Sequence, residues 1–219
     1  MNKSKAGSYV AETEGHVLHG SAGFYDKLVG LISLGREKRI RSATLDLIDI
    51  QAGTRILDVG CGTGSLTIAA KRRQGEEGFV AGIDPSSNMV DQAKRKAVKA
   101  GVEVEFKVGV VEKIEYPDDH FDFVLSSLMM HHLPDDLKIE AMMEVQRALK
   151  PGGVFLIVDF DPGALNLISL IHGPPSTTPE TILDREEARY LRDCGYGSID
   201  GGSLNILGLT YLKAIKVQS

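Results

Sequence analysis

Three glycines at alternate positions behind an acid form the most chemically suggestive stretch of the chain, Asp58-Val59-Gly60-Cys61-Gly62-Thr63-Gly64-Ser65. Apolar residues precede the acid and a helical pattern starts at Ser65, so the glycines occupy a strand-to-helix turn. There a missing side chain lets backbone approach a ligand closely. A dinucleotide fingerprint needs a third Gly or Ala three positions after the second, but Ser65 stands at that position and the glycine is at 64. No Gly-Lys-Ser/Thr follows, so the loop is not a phosphate-cradling P-loop. Asp58 would repel a pyrophosphate and suits a ligand carrying ammonium and sulfonium charges. A second acid, Asp84, closes the next strand, where a carboxylate can accept hydrogen bonds from both hydroxyls of an adenosine ribose. The alternative is that Asp84 caps the helix beginning near Ser86.

Further along, His131-His132 follows Met129-Met130 just beyond a strand. Adjacent residues do not share a helix face, so this pair does not make a two-ligand metal site. Two readings remain: structural or N-capping groups, or a general base or substrate hydrogen bond from one ring. Cys61 has no basic partner in the sequence and is not expected to be a nucleophile. With only Cys61 and Cys194, neither a disulfide framework nor a cysteine-based zinc site is expected, and a reducing cytoplasm is the natural location.

The elements that must hold these groups read as alternating strands and helices. Two amphipathic helices come first, one from Phe24 ended by Gly35 and one from Glu37 to Ile48. Then follow strand Arg55–Val59, helix Ser65–Arg73, strand Phe79–Ile83, helix Ser87–Ala100, strand Val104–Val108 and strand Phe121–Ser126. Helix Asp135–Leu149, opened by Pro134 and stopped by Pro151-Gly152-Gly153, leads to strand Val154–Phe160. Such alternation calls for a doubly wound α/β fold with a mostly parallel sheet covered on both faces. The tail offers helical patterns at Ala164–Ile171 and Arg185–Asp193 around a Gly/Pro/Ser/Thr loop. Strands Gly195–Ile206 and Leu209–Val217 complete seven as an antiparallel edge hairpin. Residues 1–21 read as a flexible arm, 22–50 as N-terminal helices, 51–160 as the ligand-binding core, and 161–219 as an insertion plus edge strands, all in a single domain.

Composition agrees. The 219 residues are 42% hydrophobic and 25% charged, the balance of a soluble globular chain with a sizeable core. Thirty acidic against 25 basic residues give a net charge of -5, which argues against a general nucleic-acid binder. The longest apolar run, Val154–Val158, is far short of a membrane span, and the first twenty residues lack the apolar core of a secretory signal.

Four ordered blocks, ILDVGCGTG, VAGIDPSSNMVDQA, YPDDHFDFVLSSLMMHHL and EVQRALKPGGVFLIVDF, resemble the class I S-adenosylmethionine-dependent methyltransferases, especially the group that includes ubiquinone and menaquinone biosynthesis enzymes. The resemblance covers about Phe24 to Phe160. It implies a Rossmann-like methyltransferase fold with S-adenosylmethionine as cofactor and S-adenosylhomocysteine as product. Gly60, Cys61 and Gly62 would lie against the methionine part with Asp58 nearby, and Asp84 would hold the ribose. Gly109, Val110 and Val111 would surround adenine, although many relatives carry an acid where this chain has Val110. Ser126 and Ser127 would lie near the transferring methyl group, with His131 or His132 as candidate base. An N-terminal helical lid bearing Tyr25, and the insertion from Asp161 to Asp184, would form the acceptor side. The expected activity is methylation of a small molecule, namely a quinone precursor, a lipid or another metabolite. Rival readings are a non-catalytic S-adenosylmethionine-binding protein and a nicotinamide-dependent oxidoreductase, the latter disfavoured by the position of the third glycine.

Overall fold

The computed structural model describes residues 37–161 and 178–218. In order these form α1 (Glu37–Leu45), β1 (Arg55–Val59), α2 (Ser65–Gln74), β2 (Phe79–Asp84), α3 (Ser87–Ala100), β3 (Glu105–Val108), β4 (Phe121–Ser127), a short 3-10 turn (Met130–His132), α4 (Asp135–Ala148), β5 (Leu149–Phe160), α5 (Pro179–Leu183), α6 (Glu186–Asp193), β6 (Tyr196–Ser203) and β7 (Leu209–Lys216). The seven strands make one sheet in the order β3-β2-β1-β4-β5-β7-β6. Pairing is parallel from β3 through β5 and antiparallel for β5 with β7 and β7 with β6. The expected mostly parallel sheet with an antiparallel edge hairpin is therefore the fold. The later strand of the hairpin, β7, is the inner one.

Strand alternation builds the core. Successive side chains point to opposite faces, so Leu57, Val59, Val124, Phe155 and Ile157 pack with Met142 and Val145 of α4 and with Leu191 of α6. Ile56, Leu125, Leu156 and Val158 face the other way, onto Ile40 of α1 and Leu66 and Ala70 of α2. Both faces are dry, which is why the strands are apolar runs rather than alternating polar ones.

The larger departures from the sequence reading are four, the other ends shifting by a residue or so. Helix α4 stops at Ala148 because buried Leu149 pairs with Phe121 and starts β5; the register then jumps to Phe123 opposite Val154. Residues 150–153 form the resulting bulge, and Pro151, which lacks an N–H for the ladder, falls inside it. Helix α5 replaces part of the expected loop. Pro179 takes its first turn, and Thr178 and Thr181 exchange side-chain-to-backbone hydrogen bonds in a capping box. Strand β6 ends at Ser203 rather than Ile206, in a turn where Asn205 and Leu207 take φ of 55° and 52°. Helix α1 ends at Leu45, with Ile48 N–H bonding back to the Leu45 carbonyl in a turn. The expected arm, the helix from Phe24 with Tyr25, and the pattern Ala164–Ile171 lie outside the described residues.

Candidate active site

Parallel strands bring their C-terminal ends to one rim of the sheet, and the candidate residues gather there. Asp58, near the end of β1, is 2% exposed, and its carboxylate accepts the Thr67 hydroxyl of α2 at 2.6 Å. The glycine loop above it is tied to β2 by the Cys61 N–H, which donates to the Ile83 carbonyl at 2.9 Å. Asp84 at the end of β2 accepts two backbone N–H groups, Gly62 on one oxygen and Ser86 on the other, both at 2.9 Å. It therefore braces the loop and the start of α3 at once, combining the helix-start role with a place at the rim. From outside, Lys96 of α3 donates to Thr63 Oγ1 at 2.6 Å and Ser65 Oγ at 3.0 Å.

Two glycines in this loop answer to specific neighbours. Gly60, at φ 68°, lies under Met129, whose side chain a Cβ would overlap. Gly64, at φ 74°, leaves room only for Phe106 and Ala93, whose atoms would stand 2.6 and 2.8 Å from an added Cβ. Positive φ and close packing together explain why side chains are missing there.

Burial sets the electrostatics. It raises the Asp58 carboxyl to about 7, helped by the charge of Asp84 and opposed by the Thr67 hydrogen bond. Burial likewise raises Asp84, while the Ser86 and Gly62 amides pull the other way. Cys61 is pushed up by burial, then by Asp58 and Asp84, so its thiol stays protonated and cannot serve as a nucleophile. Two carboxylates held out of water beside a cleft favour a cation. The cleft is lined by Asp58, the loop residues Gly60–Thr63, Ile40 and Arg41 of α1, and Ser127 and Leu128.

The other predicted residues divide. Ser127 lines this cleft, whereas Ser126, 1% exposed, turns to the opposite face of β4; its Oγ is the one buried side-chain polar atom without a hydrogen-bond partner among the described residues. Gly109 N–H donates to the Asp84 carbonyl at 3.1 Å, Val110 bridges to Lys113, and Val111 is buried in the core near Ile114. His131 Nδ1 is 2.7 Å from Asp159 Oδ1, and the His131 backbone N–H donates to Asp159 Oδ2 at 3.2 Å. The His132 ring lies against the His131 ring, centroids 4.0 Å apart. Neither histidine caps α4, where Pro134 holds the cap position. Sequence reasoning missed Asp159, Lys138, Arg185 and Met129. Nothing in local spacing joins Asp159 to His131, because their contact arises from the pairing of β4 with β5.

A methyltransferase domain model matches residues 50–197. The chain belongs to the methyltransferase family. The Ubiquinone/menaquinone biosynthesis C-methyltransferase UbiE of Pseudomonas aeruginosa (strain LESB58) is 31% identical over 194 residues, 85% of this chain and 75% of that protein. The demethylmenaquinone methyltransferase of Listeria monocytogenes serotype 4a (strain HCC23) is 34% identical over 136 residues, 62% of this chain and 56% of that one. In fold, a SAM-dependent methyltransferase from Aquifex aeolicus superposes with a TM-score of 0.66 at 23% identity, covering 90% of this chain and 100% of that one.

This methyltransferase uses S-adenosylmethionine. The donor set fits that group, because two buried carboxylates and a glycine turn suit a positively charged ligand better than a phosphate. The nicotinamide reading and the non-catalytic reading both give way to methyl transfer. Among the described residues no helix is long and apolar enough to cross a membrane, and no cluster of His, Cys, Asp or Glu could hold a metal ion.

Proposed function

We propose that this methyltransferase methylates a hydroxylated ring of the quinone-precursor type. The observation that carries the reading is the 31% identity to a quinone-biosynthesis C-methyltransferase across 85% of the chain, the span that contains both the cofactor cleft and the rim beyond β4. Asp58, Gly60, Cys61 and Gly62 take the methionine end of the cofactor, Asp84 the ribose, Gly109 to Val111 the adenine, and Ser127 the neighbourhood of the methyl group. Ser126 contributes through its backbone. Val111, with its side chain in the core, can offer only main-chain atoms to adenine. When bound, the cofactor supplies a methyl carbon activated by a positively charged sulfur, so the protein's task is alignment and exclusion of water. Lys96 and Asp84 hold the loop in one shape before a ligand arrives, which lowers the ordering cost on binding.

The test is S-adenosylhomocysteine release from S-adenosylmethionine with a panel of hydroquinones, naphthols, amines and lipids. Turnover concentrated in the hydroxylated rings supports the reading. Turnover confined to amines or lipids overturns it.

A further inference from the structure

We infer that His131 is the general base of the transfer, positioned by Asp159, and that the acceptor enters a second hollow between the Met130–His132 turn, α4, α6 and β7, bringing an acidic hydroxyl to His131 Nε2. The inference rests on the ring-acceptor reading above and adds the site, the base and the group it deprotonates.

The geometry is local and specific. Ser127 and Leu128 line the cofactor cleft, and Met130 and His131 line the second hollow. One short segment thus separates a place for the methyl donor from a place for the acceptor. Leu128 adopts φ 58° in this segment, and its N–H is anchored on the Val158 carbonyl at 2.8 Å. Asp159 grips both the ring and the backbone of His131 while also accepting the Phe160 N–H at 2.8 Å. With Nδ1 committed to a carboxylate, the ring presents Nε2 as its other site, the tautomer a general base needs.

The walls favour an aromatic acceptor with an ionisable oxygen. Met130, Ile157 and Leu212 supply apolar surface, and Lys138 and Arg185 supply positive charge beside the acids Asp159 and Glu187. Arg185 is held by Asp161 at 2.8 Å and Thr210 at 3.0 Å, and Lys138 by Asp135 at 3.0 Å and Glu187 at 3.1 Å. Fixed cations stabilise an oxyanion as it forms. A neutral amine needs no base before it attacks a sulfonium methyl, whereas a phenol does.

The step balances. The hydroxyl proton passes to His131 Nε2, and the electron pair it leaves delocalises over oxygen and ring carbon. That pair forms the new bond to the methyl carbon as the methyl–sulfur bond breaks, its electrons remaining on sulfur as a neutral thioether. If carbon is methylated, the ring loses its C–H proton and the oxygen regains one, so either course releases one proton per transfer.

The charged groups that line the hollow with His131 are Asp159 on β5, Lys138 on α4, and Arg185 and Glu187 at the start of α6, with the His132 ring beside it. Asp159 dominates and raises the His131 pKa above its ordinary 6.5, against burial and Lys138.

The test uses the full chain with S-adenosylmethionine, a dihydroxybenzene or naphthol that supports turnover, and the variants His131→Gln and Asp159→Asn, with folding checked by circular dichroism. His131→Gln should lower kcat at least a hundredfold and leave the S-adenosylhomocysteine dissociation constant within twofold. The wild-type kcat/KM should rise with pH along a limb above 6.5. Asp159→Asn should move that limb to lower pH and lower kcat about tenfold. Independently of turnover, 4-nitrophenol added to the S-adenosylhomocysteine complex should show phenolate absorbance at a lower pH than in buffer, and His131→Gln should abolish that shift. If hydroxylated rings are turned over but His131→Gln retains kcat within threefold, or the 4-nitrophenol spectrum matches that in buffer, the base assignment falls and the ring-acceptor reading stands. If only amines are turned over, both fall.

Discussion

The two halves of the sheet build their candidate sites by different means. On the β3-β2-β1-β4 side, the candidate cofactor cleft is made mainly from residues close in sequence to strand ends, closed by Ile40 and Arg41 of α1, and the acids at its rim are satisfied by backbone amides and hydroxyls: Gly62 and Ser86 on Asp84, Thr67 on Asp58. On the β5-β7-β6 side, the second hollow is made from residues far apart in the chain, joined by ion pairs such as His131–Asp159 and Arg185–Asp161. A turn that binds through its backbone needs particular residue types at particular positions. A hollow assembled from side chains needs only that the fold bring complementary groups together. The first arrangement constrains sequence tightly and the second leaves it freer, which suits one half to the proposed cofactor site and the other to the proposed acceptor site.

Substitutions can break this contrast at its strongest point. Gly60→Val should abolish measurable S-adenosylmethionine binding in calorimetry while circular dichroism remains that of a folded protein, because a branched side chain at φ 68° overlaps Met129. No comparable single substitution in the second hollow should affect cofactor binding at all.

Next in size is the response to pH. If Asp58 holds the cationic cofactor as the carboxylate, cofactor affinity should fall by up to about tenfold per pH unit as pH drops below about 7, the raised value of this acid. Stability without ligand should run the opposite way. The folded state holds the Asp58 proton more tightly than the unfolded chain, so this contribution is full below the ordinary value of 3.8 and is lost as pH rises through about 7. Thermal melts with and without S-adenosylhomocysteine from pH 5 to 8 would read both signs, and parallel curves would refute the cation-binding role.

Asp84→Ala should weaken S-adenosylmethionine binding by about tenfold to a hundredfold, the size of about 1.5 to 3 kcal/mol in hydrogen bonds to a charged group. An unchanged dissociation constant would reduce Asp84 to a brace for Gly62 and Ser86. The smallest effect belongs to the other half. Arg185→Met breaks a largely buried pair with Asp161 and should cost about 1 to 3 kcal/mol in urea unfolding, raise KM for the acceptor and leave cofactor affinity unchanged. A changed cofactor affinity would show that the two halves are coupled.

The same contrast governs what could be read from the sequence. The strands near the glycine loop were legible because apolar runs ended in residues with strict local demands, Gly60, Gly64 and Asp84. The antiparallel hairpin was legible from its alternation around Gly208. Asp159 was not, since an acid at the end of a strand gives no sign that a histidine on the preceding turn will meet it. Helix α5 escaped notice because its five residues are too few for periodicity, and only the Thr178-Pro179 start marks it. The end of α4 was misplaced by one residue because the Pro-Gly-Gly segment signals a helix stop without revealing that Leu149 already belongs to the sheet.

The inner position of β7 has a consequence for the order of assembly. Strand β6 emerges from the ribosome first, yet its hydrogen-bonding neighbour in the sheet is β7, which in turn bridges it to β5. Until β7 is made, β6 has no ladder to join, and the wall that carries Thr210, Tyr211 and Leu212 does not exist. The parallel strands β1 to β4 can pair with β5 while synthesis continues. A nascent chain should therefore acquire its cofactor cleft before its second hollow, and during that interval β5 is left with an open edge that invites pairing with another chain.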